Sequence, residues 1–205
     1  KGSLIATAIA EYFRDEGKDV MFMMDSLTRV ALAQREIGLA IGEPPTTKGF
    51  TPSVFSFLPK LLERTGTGKK GSITGLYAVL VEGDDMDDPI GDTARSILDG
   101  HIILSRKLSN KGHYPAVDVL DSVSRLFSEI ADKNHIKRTR ELIELLSEYR
   151  EAEDMISIGA YSEGSNPKVD RAIQFKSQIN KILRQDINEP SQFDETLNSL
   201  YEALD

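Results

Sequence analysis

Val20-Met21-Phe22-Met23-Met24-Asp25, followed by Ser26-Leu27-Thr28-Arg29, is the stretch on which the fold turns. Five apolar residues in a row cannot alternate between core and solvent, so both faces of the segment are expected to be buried. A buried helical turn has the same lack of alternation, and length and context separate the two. The run is short, is entered from Gly17-Lys18-Asp19, and ends on a carboxylate. It reads as a central strand of a parallel sheet. Asp25 then stands at the carboxyl end of that strand, where open α/β sheets bind their ligands.

On the upstream side, Leu4, Ile5, Ala8, Ile9, Tyr12 and Phe13 recur at helical spacing, with Ser3 as a cap and Gly17 as a stop. On the downstream side a helix is predicted over 26–41, closed by Gly42. The order α-β-α is the repeat of a doubly wound sheet. The segment 43–52 holds Pro44, Pro45 and Pro52 and must be a loop. A helix over 54–62 has to accommodate Pro59 or break there. The segment 66–71 reads as a loop, 72–81 as a second buried strand, and 82–89 as an acidic loop. A short helix over 93–98 and a third strand over 101–104 follow, and 110–124 reads as irregular. Past about Arg125 the strand signals stop. Amphipathic helices are predicted over 136–149, 168–183 and 193–204, the second started by Ser165-Asn166-Pro167 and the third capped by Ser191 or Asp194. The expected plan is an α/β part over 1–126 and an all-α part over 127–205.

Composition narrows the function. The chain has 205 residues, 40% hydrophobic and 28% charged, and carries a formal net charge of −8. A surface built for nucleic acid would show a basic stripe, so no nucleic-acid partner is expected. Cysteine is absent, which excludes disulfides and thiolate metal sites within this chain. No apolar run is long enough to span a bilayer and no signal-peptide pattern is present. The sequence starts at Lys1 directly in a helical pattern, and it reads as a piece of something longer.

Few motifs carry chemistry. Asp25 either caps the following helix or, as in nucleotide hydrolases with a phosphate loop, supports Mg²⁺ through its hydration shell. Gly66-Thr67-Gly68-Lys69-Lys70-Gly71-Ser72 imitates a phosphate loop but fails on chemistry. The cradle needs Lys and then Ser or Thr directly after its last Gly, at a strand-to-helix turn. Here Ser72 follows Gly71 directly, between a helix and a strand, so a surface loop is expected. His101, His113 and His135 are scattered without ligand spacing. The acidic loop containing Asp84, Asp85, Asp87 and Asp88 lacks the spacing of an EF-hand and reads as a solvated turn or a contact for a basic partner. Arg125 is a surface arginine or, at a domain margin, an arginine finger for a neighbour's phosphate. Tyr114, held extended before Pro115, is either core or a flat face for a base.

Eight blocks in order carry a resemblance. They are Asp25-Ser26-Leu27-Thr28-Arg29, Ala33-Gln34-Arg35-Glu36-Ile37, Gly42-Glu43-Pro44-Pro45-Thr46-Thr47-Lys48-Gly49, Gly71-Ser72-Ile73-Thr74, Val81-Glu82-Gly83-Asp84-Asp85, Leu98-Asp99-Gly100-His101-Ile102, His113-Tyr114-Pro115-Ala116-Val117-Asp118 and Ser122-Val123-Ser124-Arg125. Together they resemble the flagellar type III export ATPases, relatives of the catalytic subunits of rotary ATP synthases. The second and third blocks look more like the flagellar branch than the injectisome branch.

The resemblance implies a RecA-like P-loop NTPase core, present in part with a mostly parallel sheet, followed by an all-α C-terminal domain. It implies ATP and Mg²⁺ as cofactors, and ATP hydrolysis coupled to export of flagellar proteins. A non-catalytic ring subunit of a rotary ATPase and an injectisome secretion ATPase are the alternatives. Asp25 would be the Walker B carboxylate, holding Mg²⁺ through water, and Arg125 the arginine finger given in trans within a homohexamer. Tyr114 would stack on adenine, with Gln185 and Ile187 closing the pocket. The loop 43–52 would face the ring's pore. The acidic loop, through Asp84, Asp85, Asp87 and Asp88, would grip a coiled-coil stalk protein of the export gate. Export chaperones, flagellar cargo and a peripheral place at the cytoplasmic face of the membrane export apparatus are implied as well. The family's phosphate loop and catalytic Glu match no part of this chain, so the resemblance implies that it carries one share of an active site and binds nucleotide weakly or not at all by itself.

Overall fold

The computed structural model describes residues 1–85 and 87–204, with Asp84 by its backbone alone. The chain divides into two compact units, Lys1–Leu98 and Asp99–Asp205. That division falls earlier than the expected 126/127 boundary. The reason is that strand 117–124 pairs within the second unit and packs on its long helix.

In the first unit α1 (Gly2–Asp15) leads into β1 (Asp19–Asp25), and α2 (Leu27–Ala40) follows. Ser26 caps α2 by accepting a hydrogen bond from the Arg29 N–H. α3 (Pro52–Leu62) starts on Pro52 at its first turn and runs through Pro59 unbroken, with the Glu63 N–H donating to the Pro59 carbonyl. An interior proline costs about 3 kcal/mol. Burial of Val54, Leu58, Leu61 and Leu62 on the same helix offsets it. β2 (Gly66–Thr67) and β3 (Ser72–Ala78) follow, then α4 (Pro89–Ile97).

β1 and β3 pair in parallel from Asp19 opposite Ser72 to Asp25 opposite Ala78. β2 adds a two-residue antiparallel rung on the far side of β3, so the order is β1-β3-β2. The expected loop over 66–71 thus holds a short strand and a turn. Gly71 is required where it stands, because a Cβ would lie 2.3 Å from the Lys18 carbonyl oxygen. Its glycine serves close backbone packing at the start of β3, as the surface-loop reading of that motif allows.

The core of this unit joins Leu27 and Ala31 of α2 to Val54, Leu58, Leu61 and Leu62 of α3, and to Ile90 and Ala94 of α4. A second cluster places Phe22 and Ile73 against Ala10 of α1, with Val20, Met24 and Tyr77 around it. Within this chain one of the two faces of β1 expected to be buried is covered and the other is not. Met21 is 65% and Met23 71% exposed, on the face shared with Leu76 at 56%. β1 ends the strand order, and among the described residues nothing packs on that face.

The second unit contains β4 (Gly100–Leu104), α5 (Arg106–Asn110), β5 (Val117–Ser124), α6 (Phe127–Ile130), α7 (Lys133–Ser157), α8 (Pro167–Leu183) and α9 (Phe193–Glu202). The third strand does exist but belongs to a separate antiparallel pair, β4 with β5, which has a register irregularity between His101 and Ile103. The segment 110–124, expected irregular, contains β5. Val117-Asp118-Val119 alternates, but Asp121, Ser122 and Ser124 blur the pattern. α7 is capped by Asp132, which accepts from the Asn134 and His135 N–H groups, and α8 by Asn166. α9 is capped by Gln192 in a capping box with Glu195, not by Ser191 or Asp194. Leu142, Leu145, Ala172, Ile179 and Leu204 form the core of this helical part. Among the described residues no helix is long and apolar enough to cross a membrane.

Candidate functional site

Asp25 is the last residue of β1 and its side chain is exposed. The cap of α2 is Ser26, so the helix-cap reading of Asp25 does not apply. The strand behind it is held by the parallel ladder to β3 and by the burial of Phe22. That arrangement presents one carboxylate at the edge of the sheet where α/β ligands lie. Among the described residues no three His, Cys, Asp or Glu side chains converge on a metal position. A divalent ion here would meet at most two such side chains among the described residues. That suits Mg²⁺, which keeps several waters and takes further ligands from phosphates.

In the second unit two of the residues predicted for adenine, Tyr114 and Gln185, meet through their backbones. The Gln185 N–H donates to the Tyr114 carbonyl at 2.9 Å, joining the segment before β5 to the end of α8. Tyr114 is 55% exposed and its hydroxyl lies 2.8 Å from the Ser109 hydroxyl. Gln185 donates from its side chain to the Glu189 carbonyl at 2.6 Å, and the Asp186 N–H donates to the Glu189 carboxylate at 3.0 Å. These bonds shape a turn on which Ile187 is fully exposed. Tyr114 and the Gln185 backbone thus share one margin of the second unit.

Sequence reasoning missed the support of this margin. His113 is buried, and Arg184 donates through Nε to its Nδ1 at 3.3 Å. Burial, then the Arg184 charge, hold the His113 pKa below the ordinary histidine range. No local signal pairs residues so far apart in the chain. Arg125 follows β5 directly and is exposed, and its N–H donates to the Asp99 carbonyl at 2.8 Å.

The acidic loop is partly committed. Asp85 forms an ion pair with Lys48, and Asp88 lies 3.9 Å from the same ammonium. The bond to Lys48 is the main cause that lowers the Asp85 pKa. Asp88 also caps α4, accepting from the Ile90 and Gly91 N–H groups at 3.0 and 2.9 Å. Asp85 accepts from the Asp87 N–H at 3.0 Å. The side chain of Asp84, and Met86 in the same loop, lie outside the described residues. The two loops expected to face a stalk, 43–52 and 84–88, are therefore joined through Lys48.

Comparison with known proteins adds the family. The profile of the ATP synthase alpha/beta family, nucleotide-binding domain, matches residues 1–124. That of the T3SS EscN ATPase C-terminal domain matches residues 131–202. The flagellum-specific ATP synthase of Bacillus subtilis (strain 168) is 59% identical over 98% of this chain and 46% of its own length. The assembled ATPase EscN from the enteropathogenic E. coli type III secretion system superposes with a TM-score of 0.95 at 47% identity, over 99% of this chain and 49% of that one. EscN in complex with its central stalk EscO superposes with a TM-score of 0.88 at 45% identity, over 99% of this chain and 48% of that one. The chain spans about half the length of the curated relatives it matches. Its α/β fold followed by helices is the fold of these ATPases, and the chain belongs to the ATP synthase alpha/beta family.

Proposed function

We propose that the complete protein is the ATPase subunit of a flagellar type III export apparatus, coupling ATP hydrolysis to export of flagellar proteins. The observation that carries this reading is Asp25, an exposed carboxylate at the end of a parallel strand whose following helix is capped by another residue. The higher identity to the Bacillus subtilis flagellar relative, 59% against 47% for EscN, supports the flagellar branch over the injectisome.

In this reading ATP and Mg²⁺ are the cofactors. Bound Mg²⁺ supplies charge neutralisation on the phosphate oxygens. Asp25 orients waters of its hydration shell. Tyr114 stacks on adenine, and Gln185 and Ile187 border it. Arg125 reaches a neighbouring subunit's phosphates as the arginine finger of a homohexamer, and its exposure just after β5 supports that role. The nucleotide-binding portion covers 1–126 and the helical domain 127–205. The loop 43–52 faces the ring's pore. Asp84, Asp85, Asp87 and Asp88 engage a basic coiled-coil stalk; the EscN complex with its central stalk EscO supports a stalk partner. Export chaperones and flagellar cargo bind the cytoplasmic ring, which sits peripherally on the membrane export apparatus.

The test is phosphate release by a full-length subunit carrying this sequence. Hydrolysis should require Mg²⁺, and the rate per subunit should rise with protein concentration as rings assemble. Absence of Mg²⁺-dependent hydrolysis would overturn the ATPase reading. A rate per subunit independent of concentration, from a protein that remains monomeric, would overturn the trans role of Arg125.

A further inference from the structure

Two consecutive residues before β5 are bonded to two consecutive residues after α8. One rung is backbone, from the Gln185 N–H to the Tyr114 carbonyl at 2.9 Å. The other is side chain, from Arg184 Nε to His113 Nδ1 at 3.3 Å. The His113 backbone N–H donates to the Leu108 carbonyl at 3.0 Å. The residue is therefore held through its backbone by Leu108 and through its ring by Arg184, and Tyr114 and Gln185 stand directly next to this pair in sequence.

The chemistry of the side-chain rung sets a condition. A guanidinium is always a donor, so Nδ1 accepts only while the imidazole is neutral. His113 and six charged groups line one cavity of about 260 Å³: Lys111, Asp118, Arg150, Glu153, Lys176 and Arg184. Arg150 pairs with Asp118, and Lys111 with Glu153 at 3.0 Å. The Lys176 ammonium lies 3.9 Å from the centre of the Tyr149 ring. The acids facing His113 are thus engaged by two cations, while Lys176 and Arg184 add positive charge. An imidazolium would be repelled here, and burial together with Arg184 lowers the His113 pKa.

We infer that neutral His113, acting through Arg184, is a positioning residue that holds Gln185 and Ile187 in register with Tyr114 and so sets affinity for the nucleotide's base. The inference rests on the adenine-site reading of Tyr114, Gln185 and Ile187. His113 touches no nucleotide in this scheme. Its effect is on binding, and it carries a pH dependence that a purely structural residue would not.

The experiment is steady-state ATP hydrolysis by a full-length subunit carrying this sequence, from neutral pH down through the lower histidine range. His113→Leu removes the acceptor and should raise KM for ATP roughly tenfold while kcat stays within about twofold. His113→Asn places an acceptor oxygen near Nδ1 and should restore KM. The original sequence should show KM rising on acidification as His113 takes up a proton, and His113→Asn should lack that rise. Equal KM values for His113→Leu and the original sequence, or an acid-side rise retained in His113→Asn, would overturn the inference. Should His113→Leu fail to fold, NMR titration of His113 decides: Arg184→Leu must move the His113 midpoint upward, and an unmoved midpoint sinks the inference. Tyr114→Ala separates the two readings. A silent Tyr114→Ala removes the adenine site itself, whereas a raised KM there beside a silent His113→Leu removes only the positioning role.

Discussion

Asp25 and Arg125 hold similar stations in different surroundings. Each is an exposed charged residue at or just past the carboxyl end of a strand. β1 belongs to a parallel ladder with one face sealed by Ala10, Phe22 and Ile73. β5 belongs to a two-stranded antiparallel pair, and Arg125 is tied back by its N–H to the Asp99 carbonyl. The difference fits the two proposed duties. A metal-supporting carboxylate has to be presented rigidly by its own subunit. A finger has to reach outward and act only when a neighbour is in place.

The strongest way to break this comparison is Arg125→Ala in the full-length subunit. Turnover should fall by about 10³ or more with nucleotide affinity nearly intact, measured by hydrolysis and by equilibrium titration. Lost affinity with normal turnover would make Arg125 a binding residue and erase the contrast with Asp25. The support behind β1 is tested next. Phe22→Ala should destabilise the fold by about 3 kcal/mol in urea unfolding, while Met23→Ala on the open face should cost under about 1 kcal/mol. Equal losses in this chain would mean that both faces of β1 are packed in solution.

Asp25→Asn should weaken nucleotide binding about tenfold in the presence of Mg²⁺ and leave binding in EDTA unchanged. A Mg²⁺ dependence identical to the original sequence would return Asp25 to a structural role. The smallest expected effect concerns the acidic loop. Lys48→Ala releases Asp85 and Asp88 from their internal cation and should strengthen capture of a Lys-rich helical peptide about two- to threefold at low salt. An unchanged affinity in fluorescence anisotropy would mean that Lys48 does not compete with a basic partner.

Much of the first unit was legible locally. Helical spacing placed α1, turn residues and an unbroken apolar run placed β1, and Gly71-Ser72 opened β3. The boundaries moved by a few residues, as in α4, which begins at Pro89 on the Asp88 cap. The third strand was legible too, but its partner was not, because pairing is decided by where the chain returns. β5 was missed because polar residues interrupt its alternation, and a two-stranded pair backed by a helix tolerates them on its open side.

The same division runs through the candidate site. Asp25, Arg125, Tyr114 and the acidic residues stand out because each lies in a short segment whose residue types carry the reading. The links between Tyr114 and Gln185, His113 and Arg184, and Lys48 and Asp85 do not stand out, since their partners are distant in the chain.

The amino-acid sequence by itself determined which segments are strand or helix and which carboxylate ends the first strand. Backbone periodicity and capping chemistry act over a few residues and are written in order along the chain. Only the tertiary structure decided that β4 pairs with β5, that Lys48 meets Asp85, and that a buried His113 meets Arg184 beside Tyr114. Burial and hydrogen-bond partnership depend on which distant segments meet, and no local pattern states that.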